Sequence, residues 1–505
     1  MSLGQAPKYF GQGTQGGQFF VTEQMMEVWE LLANDTHHPI KKVLSGPMGV
    51  GKSYLAWFLA AKAYASGWPV LYFADAAELD QETSEKSSLE ICQRFLALNR
   101  DVLTAADLKE MLGYGDSVPL VVTCAGNIFG RLLQRKVQKT LLIVDEHGAL
   151  FTPTDPVPNR LVVLRPLQYF NRWMEQNAGA RVVFTGTAHA KYERTHLTDM
   201  RLLIFVGPLS PTIFGQLQEA VFSQHHPMVQ QHLSTINSEV LRITNCVPRE
   251  LVNLAGEIGI APLTLIEVKE RLGDFEYRRR RAFFQTIETR YNLLTPISAE
   301  GTRLALADMF LPGKERPTAV FDMQFLDFGV VYRHLSRNGI AVLHSPISPA
   351  AQAALLDLYK LCPLPEAYRN GLAQDNLTGA QFEDTLFQQL MRSRDLILRT
   401  TDLAGKTPID INWKISGTEL LHKPPRFLST DSMNTLVRCY EGYPRFDFIL
   451  GYTFIQVSTT DFVQVCLNYL AKFVYQFYLH VGSSHIQPAN INKEMAIRRI
   501  GINSH

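Results

Sequence analysis

A glycine-rich segment near the start of the chain constrains the fold more than any other feature. It reads Gly46-Pro-Met-Gly-Val-Gly-Lys52-Ser53, with the apolar pair Val43-Leu44 before it and a helix-forming run from Tyr54 to Lys62 after it. This order predicts a strand, a tight turn and a helix start. Glycines let successive backbone N–H groups point inward and the helix N-terminus adds its dipole, so such a turn holds phosphate oxygens well.

The segment therefore predicts a complete P-loop that binds ATP together with Mg²⁺. In this interpretation Gly46, Gly49 and Gly51 line the phosphate cradle. Lys52 reaches the β- and γ-phosphates, and Ser53 ligates the metal. The required context of strand, turn and helix is present on both sides, which favours a nucleotide site over an ordinary glycine loop.

Two further apolar segments end in polar side chains that suit phosphoryl transfer. Residues 140–146 predict a buried apolar strand that ends in two acids. In this interpretation Asp145 completes the Mg²⁺ shell and Glu146 acts as general base for water. A strand end without catalytic function is the alternative. The next such segment ends in Thr185, which is placed to hydrogen-bond the γ-phosphate or the attacking water. Thr187 is an equally placed competitor, and a threonine favoured only by its β-propensity is the structural alternative.

Several short apolar strands separated by helical segments predict an α/β fold with a mostly parallel sheet buried on both faces. Residues 208–268 become largely helical, which predicts a lid over the bound nucleotide. Arg249 opens a helix of this lid after a helix-breaking Val-Pro, and we expect its guanidinium to reach back to the γ-phosphate. An ordinary surface arginine is the alternative, and an arginine finger is left unassigned.

Composition and charge bound the remaining possibilities. A chain of 505 residues, 46% of them apolar, exceeds a single core and predicts about two to four domains. The formal charge of +1 gives no overall attraction for nucleic acid, so a DNA partner would need a local patch. Six cysteines without CxxC spacing argue against a zinc site and fit a reducing, intracellular compartment. We expect no secretory signal and no membrane-spanning segment.

A second constellation lies in the last quarter of the chain. Glu383 stands among apolar residues at helical spacing, while Asp447 and Gln456 flank two short apolar segments that a hairpin would pair. Asp447 and Glu383 would then hold Mg²⁺, and Gln456 would position the water for phosphodiester hydrolysis. The alternative is an ordinary hairpin without a metal, and Ser458 stands where a lysine would strengthen the nuclease interpretation.

The sharpest basic run is Arg278 to Arg281, with aromatic residues on both sides. Four consecutive helical positions span most of the helix circumference, so the four side chains cannot share one solvent face. A nucleic-acid patch or a nuclear address is one interpretation. A solvated helix paired with acids is the other, and the sequence does not decide between them.

In the order of its parts, from about residue 40 to 458, the chain resembles the Crinkler-type effectors. In these proteins a P-loop ATPase is joined to a restriction-endonuclease-like module. The resemblance rests on the P-loop, Leu142-Ile-Val-Asp-Glu-His-Gly148, Phe184-Thr-Gly-Thr187, Val206-Gly-Pro-Leu-Ser210, Cys246-Val-Pro-Arg249, the segment 325–332, and the triad positions Glu383, Asp447 and Gln456-Val-Ser458.

The resemblance implies an AAA-like, oligomeric ATPase that regulates or localises a domain cleaving double-stranded DNA, with action in a nucleus. Composition shifts along the chain, read together with this resemblance, predict a domain order. We expect a flexible segment and first helix over 1–39, an ATPase domain with a helical lid over 40–266, a helical or winged-helix linker module over 267–360, and a restriction-endonuclease-like domain over 361–505. The first 40 residues are too short for the ubiquitin-like header with which these effectors commonly begin.

Two other functions remain open on the sequence. A signalling or scaffold ATPase would carry the C-terminal module as a degenerate fold that binds a partner and cleaves nothing. A motor that remodels nucleic acid or protein would hydrolyse ATP without breaking strands.

Overall fold

The structure is a computed structural model of the chain. The residues it describes are 19–36, 38–79, 84–106, 139–146, 179–185, 202–309, 325, 328–335, 342–374, 377–392, 395–401, 408–420, 434–439, 448–450, 453–455 and 499–500. The chain divides into two compact units, each discontinuous in sequence. The first comprises Met1–Thr286 with Met323–Ala353, and the second comprises Ile287–Asp322 with Ala354–His505.

A five-stranded parallel sheet forms the base of the first unit. Its strands are β1 Ile40–Ser45, β2 Val70–Phe73, β3 Thr140–Val144, β4 Ala180–Thr185 and β5 Leu203–Phe205. They stand in the order β2-β3-β4-β1-β5, which places β4 between β1 and β3. Strands β2, β3 and β4 are buried along their whole length, as continuous apolar runs require when both faces are covered. The predicted α/β fold with a parallel sheet is confirmed.

Three helices accompany this sheet: α1 Glu23–Ala33, α2 Lys52–Ala65 and α3 Ser84–Asn99. Helix α1 begins where the Thr22 hydroxyl accepts a hydrogen bond from the backbone of Met25, the usual N-cap arrangement. Helix α2 places Leu55, Leu59 and its small alanines in the core beside β2 and β3, because these side chains recur at helical spacing. The sheet and α2 thereby fix the turn between β1 and α2.

A helical region follows the sheet in the first unit. It contains α4 Pro211–Phe222, α5 Pro227–Thr244 and α6 Pro248–Ile258, followed by the long helix α7 Leu265–Asn292. Each of α4, α5 and α6 has a proline in its first turn, where the missing N–H costs no helical hydrogen bond. The predicted helical region over 208–268 and the predicted long helix over 267–294 are both confirmed.

An antiparallel hairpin from a much later part of the sequence also belongs to the first unit. Its strands are β6 Val331–Leu335 and β7 Val342–Pro346, and β6 contacts β5 at the edge of the parallel sheet. The short strand predicted at 340–343 corresponds to the start of β7.

The second unit combines helices with two small sheets. Its elements are α8 Pro296–Met309, α9 Pro349–Leu361 (which begins in the first unit), α10 Glu366–Ala373, α11 Gly379–Arg392, β8 Asp395–Thr401, β9 Pro408–Lys414, β10 Gly417–Leu420, β11 Thr435–Arg438, β12 Phe448–Leu450, β13 Thr453–Ile455 and β14 Arg499–Ile500. One sheet has the order β10-β11-β12-β13 and the other β14-β8-β9. Strands β12 and β13 pair antiparallel, which confirms the predicted hairpin.

The compact units divide the chain differently from the sequential domains. The segment predicted as one linker module, 267–360, contributes to both units, because α7 ends in the second unit while β6 and β7 belong to the first. The four-domain division remains a prediction from the sequence.

Candidate functional site

The turn between β1 and α2 has the backbone that a phosphate cradle needs. Gly49 and Gly51 have φ angles of 93° and 102°, a backbone region that residues other than glycine rarely adopt. At Gly46 a Cβ atom would lie 2.1 Å from the carbonyl oxygen of Val206, so no other residue fits there without moving the backbone. Thus packing constrains Gly46, φ constrains Gly51, and both constrain Gly49.

Lys52 is the first residue of α2, and its ammonium lies inside the turn. The side chain is buried, and Nζ donates hydrogen bonds of 2.8 Å to the carbonyl oxygens of Gly46 and Pro47. These bonds hold the positive charge within the loop where phosphates would bind. The role of Lys52 toward phosphate remains a prediction.

Ser53 and Asp145 meet at the carboxyl end of the sheet. Asp145 directly follows β3, is 2% exposed, and hydrogen-bonds the Ser53 side chain. The backbone N–H of Glu146 donates to its Oδ1 at 2.8 Å. Burial raises the pKa of Asp145 to about 6, although the hydrogen bonds from Ser53 and Glu146 and the charge of Lys52 lower it in part. A carboxylate and a hydroxyl thus converge beneath the turn.

Glu146 occupies an unusual backbone conformation beside Asp145. Its φ angle is 50°, in the left-handed region, and its side chain is half-buried. Non-glycine residues with positive φ are uncommon and often mark functional sites. The strained turn holds the second acid directly after the buried one.

Thr185 is the last residue of β4 and is fully buried. It pairs in register with Leu44 of β1, while the neighbouring Phe184 pairs with Val144 of β3. Because β4 lies between β1 and β3, Thr185 belongs to the same sheet edge as the P-loop and Asp145. Its competitor Thr187 lies outside the described residues.

Arg249 brings the helical region onto the P-loop. It is the second residue of α6, and its backbone N–H donates to the Gly49 carbonyl oxygen at 3.3 Å. A Cβ on Gly49 would lie 2.5 Å from the Cβ of Arg249, so the bare glycine allows this approach. The structure therefore brings Arg249 and the P-loop together.

Arg333 is a buried residue of this site that the sequence interpretation missed. From β6 its Nη2 donates a 2.6 Å hydrogen bond to the hydroxyl of Ser45, the residue before the P-loop. Both side chains are nearly fully buried, and the guanidinium lies 5.3 Å from the ring centre of Phe205. The two bonded residues are 288 positions apart, and no local pattern signals such a contact.

His344 stands opposite Arg333 in the hairpin register. Burial, together with the positive charges of Arg333 and His334, lowers the pKa of His344 to about 3. The imidazole is therefore neutral at physiological pH. The hairpin contacts the P-loop strand through Arg333, and His344 is the neutral residue paired with it.

In the second unit, the predicted metal ligands are only partly described. Glu383 lies half-buried on α11, whereas Asp447 and Gln456 lie outside the described residues. Its neighbour Asp384, not singled out by the sequence interpretation, is 1% exposed and forms an ion pair with the equally buried Arg438. The hydroxyl of Tyr368 donates to the same carboxylate at 3.3 Å.

No cluster of three or more histidine, cysteine or acidic side chains suited to a metal occurs among the described residues. Such a cluster is not needed at the P-loop. In proteins Mg²⁺ usually keeps several waters and takes phosphate oxygens of the substrate, so one or two protein oxygens would suffice there. Ser53 and Asp145 supply oxygens of this kind and fit the ion.

Two arginines of the basic run pair with acids of α6. Arg278 binds Glu257, and Arg279 binds Glu250. The alternative of an acid-paired helix therefore accounts for half of the run. None of the described helices is both long and apolar enough to cross a membrane.

Comparisons with known proteins find likenesses among solved structures. No family model and no curated protein matches the chain. Among solved structures, the ORC2 protein of Aeropyrum pernix, in ADPNP-ADP complexes, is similar with a TM-score of 0.35 and 11% identity, over 70% of this chain and 98% of that one. With a TM-score this low, the likeness indicates neither activity nor partner. The resemblance to Crinkler-type effectors remains a hypothesis from the sequence.

Proposed function

We propose that the chain binds ATP with Mg²⁺ at the carboxyl edge of its parallel sheet and hydrolyses it. The observation that carries this proposal is the hydrogen bond between Ser53 and the buried Asp145, beneath a turn that already holds the Lys52 ammonium. A hydroxyl, a carboxylate and a cation in this arrangement match the phosphoryl-transfer template.

Each residue has a distinct task in the proposed reaction. Lys52 exchanges its bonds to loop carbonyls for bonds to phosphate oxygens. When bound, Mg²⁺ neutralises negative charge on the phosphates. Glu146 accepts a proton from the attacking water, and Thr185 orients that water or the γ-phosphate. Arg249 responds to the outer phosphate from the first turn of α6.

Calorimetry with ATP and Mg²⁺ tests the binding step. We expect Lys52→Ala to weaken ATP binding by at least about 100-fold, because a buried charge-assisted contact to phosphate is lost. Lys62→Ala, which removes an exposed lysine from the same helix, is the matched control and leaves the affinity unchanged. Absence of ATP binding by the unaltered chain would refute the proposal.

A phosphate-release assay tests the chemical step. Glu146→Gln keeps the size of the side chain and removes its ability to accept a proton. We expect this variant to bind ATP normally and to lose turnover. Turnover at the unaltered rate would reject Glu146 as general base.

A second proposed activity is Mg²⁺-dependent cleavage of DNA by the second unit, regulated or localised by the ATPase. The supporting observation is the β12–β13 hairpin, in which Phe448 pairs with Ile455, together with the stacking of Phe387 from α11 on Phe448 at 5.8 Å. This packing puts the helix of Glu383 beside the strand that follows Asp447. Oxygen ligands from these two acids would suit one metal ion.

A plasmid-nicking assay with Mg²⁺ separates this activity from its rivals. Cleavage that is lost in Glu383→Gln but kept in Gln389→Ala, an exposed position on the same helix, supports the nuclease. No cleavage with any divalent metal favours a scaffold ATPase. DNA-stimulated ATP turnover without strand breaks favours a motor.

Assembly and location complete the proposal. An oligomer formed through the ATPase unit and action on DNA in a nucleus would follow from the effector resemblance. Mass photometry with and without ATP tests the assembly. A single monomer mass under both conditions would remove the oligomer from the proposal.

A further inference from the structure

The first turn of α6 is held from two sides. On one side Arg249 contacts Gly49 of the P-loop through its backbone N–H and its Cβ. On the other side the next residue, Glu250, points into the protein and is 3% exposed. Arg249 and Glu250 thus connect the P-loop to the binding partner of Glu250.

Arg279 of α7 is the partner of Glu250. Its Nε donates to Oε2 at 2.8 Å and its Nη2 donates to Oε1 at 2.6 Å. The guanidinium also lies 4.4 Å from the ring centre of Phe283, one turn further along α7. Two parallel charge-assisted bonds fix both the distance and the angle between the partners, which a single lysine contact does not do.

We propose that Arg279 is a positioning residue for nucleotide turnover, acting through Glu250 to hold Arg249 against the P-loop. This inference rests on the proposed ATPase function and assigns one arginine of the basic run to it. Arg279 itself does not touch the phosphate turn. When its bonds are lost, a buried carboxylate is left without its counter-charge, and the first turn of α6 is free to shift together with Arg249.

Arg279 lies in the part of α7 that belongs to the first unit. The first segment of that unit ends at Thr286, about two helical turns beyond Arg279, and the remaining residues of α7, to Asn292, belong to the second unit. The ion pair, Arg249 and the P-loop therefore lie in the same compact unit.

The chain contains a matched control for this ion pair. Arg278 and Glu257 join the same two helices at 2.6 Å, but their side chains are 56% and 30% exposed. The corresponding values for Arg279 and Glu250 are 26% and 4%. Arg278→Gln therefore removes an arginine and an interhelical ion pair without touching the turn that carries Arg249.

A double-mutant cycle on ATP hydrolysis by the full chain tests the inference. We expect Arg279→Gln to lower kcat/KM by about 10-fold to 100-fold through misplacement of Arg249, and Arg278→Gln to change it less than about twofold. In an Arg249→Ala background, Arg279→Gln has no further effect, because the residue through which it acts is gone. A merely structural role would reduce kcat/KM in both backgrounds.

Arg279→Lys provides a variant that keeps a positive charge beside the buried Glu250. We expect it to fold, as judged by thermal unfolding, and to show a reduced kcat/KM with the same dependence on Arg249. Full activity of Arg279→Lys, or additive losses in the cycle, would overturn the inference while leaving the ATPase proposal intact. Absence of ATP binding by the unaltered chain would overturn both.

Discussion

Each unit of the molecule buries an aspartate, and the two carboxylates are balanced differently. Asp145 in the first unit accepts hydrogen bonds from the Ser53 side chain and the Glu146 backbone, and burial raises its pKa to about 6. Asp384 in the second unit is paired with the buried guanidinium of Arg438 and also accepts a hydrogen bond from Tyr368.

This difference separates a carboxylate suited to a ligand from one that serves the fold. A carboxylate bound directly by arginine has its charge neutralised and has little left to offer a cation. A buried carboxylate that accepts its hydrogen bonds from the neutral donors of Ser53 and Glu146, while the Lys52 ammonium nearby is bonded to loop carbonyls, gains from an incoming metal ion. On this criterion the first unit carries the stronger candidate site.

The largest expected effect is on stability, from Asp384→Asn. This change leaves Arg438 buried without a counter-charge, which costs about 3–5 kcal/mol in the free energy of unfolding. Urea denaturation measures the loss, and calorimetry is expected to give an unchanged affinity for ATP. A loss below about 1 kcal/mol, within the range of an exposed ion pair, would mean that the pair does not serve the fold.

The next effect is on catalysis, from Asp145→Asn. We expect about a 100-fold loss of ATP turnover, because the residue proposed to orient the metal shell no longer carries charge. Folding is retained, since the amide keeps its place beside Ser53 without the cost of a buried charge. Turnover and thermal unfolding measured on the same sample check both parts, and a parallel loss of stability would remove the contrast with Asp384.

A smaller effect is expected from Gly49→Ala. The added Cβ meets Arg249 at 2.5 Å, and the positive φ adds about 1–2 kcal/mol of strain. Gly51→Ala is the matched control, because its φ is similar but no heavy atom lies within 4 Å of the added Cβ. ATP affinity should fall further in Gly49→Ala, and equal losses would contradict a role for the Arg249 contact.

The smallest effect concerns His344. The neighbouring Arg333 disfavours the positive charge of this imidazole, whereas Arg438 pairs with the negative charge of Asp384. The folded pKa of about 3 lies below the ordinary value of 6.5, so the unfolded chain binds more protons between these pH values. The contribution of His344 to the free energy of unfolding is complete above pH 6.5 and is lost as the pH falls toward 3. We expect His344→Gln to reduce the drop in Tm between pH 7.5 and pH 5, and an unchanged drop would contradict a buried, neutral imidazole.

Much of the first unit could be predicted because its signals are local. The P-loop glycines and Lys52 lie within eight residues, and the backbone conformation of the turn follows from their types. The apolar run of β3 required a buried strand, and in a parallel sheet this strand ends at the same edge as β1. The Mg²⁺ and ATP roles built on these residues remain predictions.

The second unit was less predictable because its sequence offered two adjacent acids on one helix. Glu383 was singled out, but Asp384 is the residue that the fold buries and pairs. Helical spacing does not reveal which of two neighbours meets an arginine more than 50 positions away.

The sequence by itself determined the P-loop, the parallel strands and the two acids, Asp145 and Glu146, that follow β3. Short-range backbone geometry and burial dictate these features. Only the tertiary structure decided that Arg333 supports Ser45, that Arg279 binds Glu250 and that Arg438 neutralises Asp384. Each of these contacts joins residues far apart in the chain. Their energies depend on burial and on the angle between side chains, which exist only after the elements have packed.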